Sequence, residues 1–397
     1  MRRVLLLLLF WVVFPIVIQP SFAEEPSPRH SSDSWQPISE SVEEILAQKK
    51  VAGVQVLVQH KGETVYNQAF GYRDIESKSS LQTDSLYRFY SMTKPITSVA
   101  VMMLVEEGKI DLQAPVSKYL PELKGLMIHK AKRKGTQTVT VHQLLTHTSG
   151  MTYGFFGNTP VDKMYRRVQP LYSSSNSEMM TKLAPLPLLH EPGTQWHYSI
   201  ATDVLGALVE RVSGQSLGAF FQERIFTPLE MVDTTFQLRP DQVDRFTTSY
   251  TKRLKVVDSY NQSTFALPNR MESGGGGLLS TGEDYLHFCQ MLLNLGEWSG
   301  KRLLKAETVV QMTQNQLPEG VLAYGWFGFG DGFQVQLQDW GSKGHVGEYG
   351  WGGAASTHFW ISPTDDLIVI ALSQEQPFNN QLKKDLKPVV YDILEEL

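Results

Sequence analysis

Ser91-Met92-Thr93-Lys94 sets a hydroxyl and an amine three residues apart, within reach of each other if a helix begins here. A serine hydroxyl is a weak nucleophile until a neighbour takes its proton, and a lysine of depressed pKa can take it. The pair therefore offers acyl transfer through a covalent serine intermediate. The same four residues also fit a plain helix start, with Ser91 as N-cap and Pro95 in the first turn. A rival serine, Ser216, sits in Gly214-Gln215-Ser216-Leu217-Gly218, the pattern of a nucleophile elbow, which requires a strand before the serine. Ile200 to Ser213 has helical period instead (Val204, Leu205, Leu208, Val212), so Gly214 reads as a helix stop and Ser216 as the next N-cap. Gly274 to Gly277 lacks the Lys-Ser/Thr of a phosphate loop and reads as a close backbone approach. His142 and His147 share no helical face, and the lone Cys289 excludes thiolate clusters. No metal or cofactor is implied.

The elements that must hold these residues are legible in outline. Ser85 to Tyr90 reads as an extended segment, and Ile96 to Glu107 as a helix ending at Gly108, so Ser91 falls at a strand-to-helix junction. Ser39 to Lys49 has helical spacing. Val51 to Val58 and Thr64 to Gly71 flank a Gly-containing turn and make a hairpin; Ala355 to Ser362 and Leu367 to Leu372 make a second one. Thr140 to Thr146 and Asn379 to Leu397 are further helices. Strands at both ends with helices between predict one sheet assembled from distant segments around a helical insertion.

Composition narrows the class. The 397 residues are 42% hydrophobic and 19% charged, which suits a globular chain and excludes a disordered one. A net charge of −5 gives no basic footprint for nucleic acid. Residues 1–23 read as a signal peptide: Arg2 and Arg3, an apolar run from Val4 to Ile18, then small residues at Ser21 and Ala23. That run is shorter than the ~20 apolar residues of a spanning helix, and no later segment is long and apolar enough. A secreted or periplasmic protein with no stable membrane span after cleavage is expected, with a flexible lead-in at 24–35. In such a chain Cys289, in series with Tyr285, Phe288 and Leu292, reads as a buried thiol rather than a nucleophile.

Ser91-x-x-Lys94, Tyr198-Ser199 and Trp351-Gly352-Gly353, in that order, resemble the three boxes of the serine β-lactamase-like superfamily. The likeness is to its class C β-lactamase-related branch, including family VIII carboxylesterases, and runs from about Ser39 to the C-terminus. It implies an α/β (α+β) fold, an antiparallel sheet flanked by helices with an inserted all-helical lobe. One domain would span 36–397, with an α/β lobe at 36–88 and 272–397 and a helical lobe at 89–271. It further implies Ser91 as the acylated nucleophile, Tyr198 as general base for acylation and then for activating water, and Lys94 between them lowering the pKa of one or both, with the split of the base role between Lys94 and Tyr198 left open. The backbone N–H groups of Ser91 and Ala354 would form the oxyanion hole. Small residues after Trp351 would let the substrate carbonyl approach the backbone.

Two departures bear on substrate. The third box has Trp351 where a Lys or His is usual, followed by Gly352 rather than Thr, so the grip on a substrate carboxylate is missing. Ile200 stands where the second box usually has an Asn. Both make the pocket more apolar and favour neutral esters. Tyr153, Phe155, Phe156, Trp196 and Tyr349 are placed to line it, and Lys343 and His345 to supply a replacement polar contact. The reading is an exported serine hydrolase of small carboxylic esters, acting on a small-molecule ester or amide, with oligomeric state left open. The alternatives are a β-lactamase or D,D-peptidase-like cell-wall hydrolase, an acyltransferase, or an inactive scaffold binding peptidoglycan or a partner.

Overall fold

Alternation along Gly53–His60 gives the central strand, β1, its two faces. Val54, Val56 and Val58 enter one core and Leu57 the other, and all eight residues are buried. β-Branched side chains suit a strand covered on both sides. Lys61 and Gly62 both take positive φ (51° and 80°), the geometry of a tight hairpin turn, and the chain returns as β2 (Glu63–Asp74). Ser79–Ser80 adds a short β3. The computed structural model describes residues 32–48, 50–129, 138–268 and 270–397. The signal-peptide reading of 1–23, and the lead-in up to residue 31, lie outside the described residues.

The remaining strands come from the far end of the chain: β4 (Gly328–Phe329), β5 (Gln334–Val335), β6 (Tyr349–Gly353), β7 (Thr357–Ser362) and β8 (Leu367–Leu372). They join in the order β4-β5-β6-β7-β8-β1-β2-β3, with every neighbouring pair antiparallel. Leu57 faces Ile370 across β1–β8, and Trp351 faces Phe359 across β6–β7. A slip of one residue would exchange the two faces of β1, sending Leu57 and the buried Gln55 and Gln59 into the valine core. The register is therefore fixed by burial on both sides.

Helices supply the two covers. Ile38 and Val42 of α1 (Gln36–Ala47) seal the valine face of β1. On the other side α2 (Thr93–Glu106) packs on α3 (Ala201–Ser213), and α4 (Gly282–Leu293) packs on β8. Cys289 lies in α4 beside Tyr285, Phe288 and Leu292, fully buried, and burial pushes its thiol well above the usual range. Leu382, Leu386 and Val390 of α5 (Gln381–Glu396) return to the first face next to α1. The insertion between β3 and β4 is not helical throughout. It carries a small ribbon, Ser249–Tyr250 with Val256–Asp258, and Tyr87–Arg88 pairs with Leu279–Ser280. Ser32–Leu397 pack as one compact unit.

Candidate active site

The segment that carries Ser91 leaves Tyr87–Arg88, makes a 3₁₀ turn over Tyr90–Met92 and enters α2. Tyr90 has φ of 42°, a left-handed conformation that costs a bulky residue ~1–3 kcal/mol. Its surroundings hold it there. The Tyr90 ring meets Phe265 edge-on at 5.8 Å, and Gln376 Nε2 donates to its hydroxyl at 3.2 Å. Just before it, the buried Arg88 donates from Nε to Asp258 at 2.6 Å; just after it, Tyr285 O–H donates to the Met92 carbonyl at 2.9 Å. The helix is capped by Met92 with no side-chain bond, so Ser91 is not spent as an N-cap. By contrast, Gly214 ends α3 with φ of 75° and Ser216 Oγ caps the next helix at Ala219 N–H. The elbow pattern is accounted for by those caps.

Two side chains converge on Ser91 Oγ. Tyr198 O–H donates to it at 2.6 Å and Lys94 Nζ at 3.2 Å. Lys94 is 1% exposed; Nζ also donates to the Gly275 carbonyl at 2.6 Å and lies 4.7 Å from the centre of the Tyr198 ring. Burial lowers its pKa from 10.5 to about 7, partly opposed by the Asp203 carboxylate. Burial also raises the Tyr198 phenol well above its usual range, an effect the bond to Ser91 only moderates. At neutral pH the lysine therefore exists in part as a free amine beside a protonated tyrosine. A neutral amine at this distance can take the Ser91 proton instead of donating one.

Asp203 was not singled out from the sequence. It lies in the first turn of α3, fully buried, and accepts from Gly275 N–H at 3.1 Å, from Tyr153 O–H at 3.2 Å and from Ser273 Oγ. The glycine run is what allows this. A methyl group on Gly275 would overlap the Asp203 carboxylate, and one on Gly274 would come within 2.8 Å of the Thr202 carbonyl. The signal was an acid in a largely apolar helix that also carries Val204, Leu205 and Leu208. His147 was likewise read only as half of a failed metal pair. Its ring packs edge-on to Tyr198 at 5.0 Å and its Nδ1 is 3.3 Å from Ser199 Oγ.

The site opens into a cavity of about 1690 Å³. Ser91, Tyr198, Tyr153, Phe155, Phe156, Tyr349 and Trp351 line it, followed by Gly352, Gly353 and Ala354; Lys343 lines it as well. Three expectations need correction. Ile200 is not in the wall: as the residue before α3 its side chain turns inward and is fully buried with the α2–α3 core. Trp196 stands behind the site, stacked on Tyr198 at 6.3 Å, and His345 is drawn away by Asp365 at 2.8 Å. Gly353 carries a further constraint. A Cβ there would overlap the Phe89 carbonyl oxygen, so this glycine is required by the chain's own packing between β6 and the segment before Ser91, whatever the substrate does.

A family model described as Beta-lactamase matches residues 38–389. Among characterised and uncharacterised relatives, Protein Rv1367c of Mycobacterium tuberculosis (strain ATCC 25618 / H37Rv) is 33% identical over 365 residues, covering 85% of this chain and 89% of that one. Esterase EstB of Burkholderia gladioli is 29% identical over 357 residues, covering 83% and 88%. Of solved structures, EstCE1, a hydrolase with promiscuous acyltransferase activity, superposes with a TM-score of 0.79 at 24% identity, covering 91% of this chain and 99% of that one. Simvastatin synthase (LovD) from Aspergillus terreus gives 0.77 at 24%, covering 92% and 98%. The fold is thus the β-lactamase/transpeptidase-like arrangement that the three boxes implied.

Proposed function

The chain belongs to the Beta-lactamase family and is an enzyme of its serine hydrolase or acyltransferase kind; from that premise we propose that it cleaves small carboxylic esters through an acyl-Ser91 intermediate. The observation that carries this reading is the convergence of Lys94 and Tyr198 on Ser91 Oγ at the floor of a cavity walled by aromatic rings. In acylation Ser91 Oγ attacks the ester carbonyl and its proton passes to the Lys94 amine. Tyr198, which the resemblance offered as the other candidate base, keeps its proton at rest because burial raises it. It relays a proton only as Lys94 takes one up, and then delivers it to the departing alkoxide. Deacylation reverses the sequence with water as the nucleophile. The amides of Ser91 and Ala354 would stabilise the oxyanion, each worth ~10²–10³ in rate.

Acyl transfer to an alcohol uses the same intermediate. Relatives named as methylbutanoyltransferases, 27–28% identical over most of the chain, favour testing it alongside hydrolysis. Export is part of the proposal and rests on the signal-like residues 1–23; among the described residues no helix is long and apolar enough to cross a membrane. The test is intact-protein mass spectrometry after brief incubation with p-nitrophenyl acetate, with ethanol or butanol as second acceptor. An acetyl adduct that maps to Ser91 and is absent in Ser91→Ala is expected. Full turnover by Ser91→Ala would end the proposal.

A further inference from the structure

The cavity does not stop at Ser91. It passes the end of β6, where β5 pairs only with Tyr349 and Gly350, and reaches the first turns of α5. There its lining becomes cationic: Lys343, Lys383, Lys384 and Lys387, against the carboxylates Glu348 and Asp385. Glu348 is already engaged, accepting from Lys387 Nζ at 2.5 Å and from Tyr391 O–H at 2.6 Å. Asp385 accepts from Gln381 Nε2 at 2.7 Å. The Lys383 ammonium lies 5.5 Å from the centre of the Trp360 ring and has no hydrogen-bond acceptor among the described residues; the side chains of Lys384 and Lys343 have none either.

The placement of Lys383 and Lys384 runs against the helix that bears them. Lysines in the first turn meet the positive end of the helix dipole, where acids would stabilise, and the first turn of α5 contains no acid. Its last turn carries Glu395 and Glu396 at the negative end. Lys383 is partly buried and lacks a hydrogen-bond acceptor among the described residues, and Lys384 and Lys343 reach solvent along the same lining, a cluster of like charge that an anion entering the cavity would neutralise. Burial and Lys387 together lower Lys383 to about 8 against the opposing pull of the Glu348 carboxylate, which Lys387 and Tyr391 already share, and an incoming anion would relieve what remains.

We infer that the far end of the cavity is an anion subsite, and that the ester substrate carries an anionic terminus, carboxylate or phosphate, held by Lys383 with Lys384 and Lys343. This rests on the ester-cleaving reading above, narrows its substrate class, and departs from the neutral esters that Trp351 and Ile200 led the sequence to favour. Lysine suits either anion because its ammonium acts as a compact charge.

The test is a series of p-nitrophenyl monoesters of linear dicarboxylic acids of increasing length, each beside its methyl-capped neutral counterpart and an ω-phosphate of the same length. The acid or the phosphate is expected to exceed the capped ester in kcat/KM by about tenfold or more once the chain reaches the lysines. Whichever of the two leads identifies the anion. In Lys383→Met/Lys384→Met that ratio should fall to about one, and Lys383→Arg should retain it. If the double variant does not fold, Lys384→Gln alone at its exposed position should reduce the ratio, and added salt should do so in the wild type. Equal turnover of capped and anionic esters at every length, or a preference that survives loss of the lysines, would overturn the inference. Turnover of the capped esters by the wild type reports the serine chemistry separately.

Discussion

Replacing Lys94 with methionine should abolish turnover and, at the same time, make the fold more stable. Methionine fills nearly the same space with no charge. The ammonium that titrates at 10.5 in an unfolded chain titrates at about 7 in the folded one, chiefly because it is buried. At ~1.36 kcal/mol per unit, the folded state is penalised by about 5 kcal/mol below pH 7. Between 7 and 10.5 the unfolded chain binds a proton that the folded one does not. Wild-type stability from this group therefore rises with pH across that window, and the penalty is gone above it. Lys94→Met also leaves the Gly275 carbonyl without its donor, a loss of ~1–3 kcal/mol that does not vary with pH. The net advantage of the variant should be about 2–4 kcal/mol near pH 6, and should shrink by about 2.5 kcal/mol on moving to pH 9. Urea unfolding of both proteins at half-unit intervals of pH measures the difference directly. A difference that stays flat from pH 6 to 9 would refute the claim that Lys94 is held near neutrality by burial, whatever the variant's activity.

The remaining predictions concern the same neighbourhood. Because Asp203 raises the Lys94 pKa against the pull of burial, Asp203→Asn should move the acid limb of the kcat/KM profile, expected near pH 7, to lower pH; a limb that moves upward or stays fixed would show that another group sets it. Gly353→Ala should lower the unfolding midpoint by an amount corresponding to ~1–3 kcal/mol and reduce kcat, since the added methyl presses on the Phe89 carbonyl that leads into Ser91. Thermal unfolding with kinetics on a small acetate ester checks both effects.

What could be read in advance was what is local. Ser91 and Lys94 are three residues apart, so one helical turn sufficed to bring them together. The two hairpins announced themselves through alternation and turn residues. Tyr198 is 107 positions from Ser91, and no periodicity connects them; only the resemblance did. Asp203 escaped because an acid in the first turn of a helix looks like ordinary dipole compensation, and its partners lie some seventy residues away at Ser273 and Gly275. Ile200 was misplaced because adjacency to a motif was read as adjacency to the pocket, whereas the start of α3 rotates that side chain into the core. The two-residue strands β4 and β5 are too short to leave a pattern. At Gly353 a second demand on the residue type was missed: the Phe89 carbonyl takes the space a Cβ would need, besides any approach of a substrate.

The pairing of β1 with β8 also fixes when the enzyme can begin to work. Leu57 leaves the ribosome roughly three hundred residues before Ile370, the partner it needs across the middle of the sheet. Ser91, Lys94 and Tyr198 are all synthesised in the first half of the chain. Trp351, in β6, and Ala354, just after it, line the cavity from a strand that pairs with β7, which in turn pairs with β8. A nascent or C-terminally clipped chain thus contains its nucleophile and its proton acceptor but lacks the surface that would present an ester to them. A chain clipped before β7 is therefore expected to be inactive, and activity to appear only once the last strands have docked.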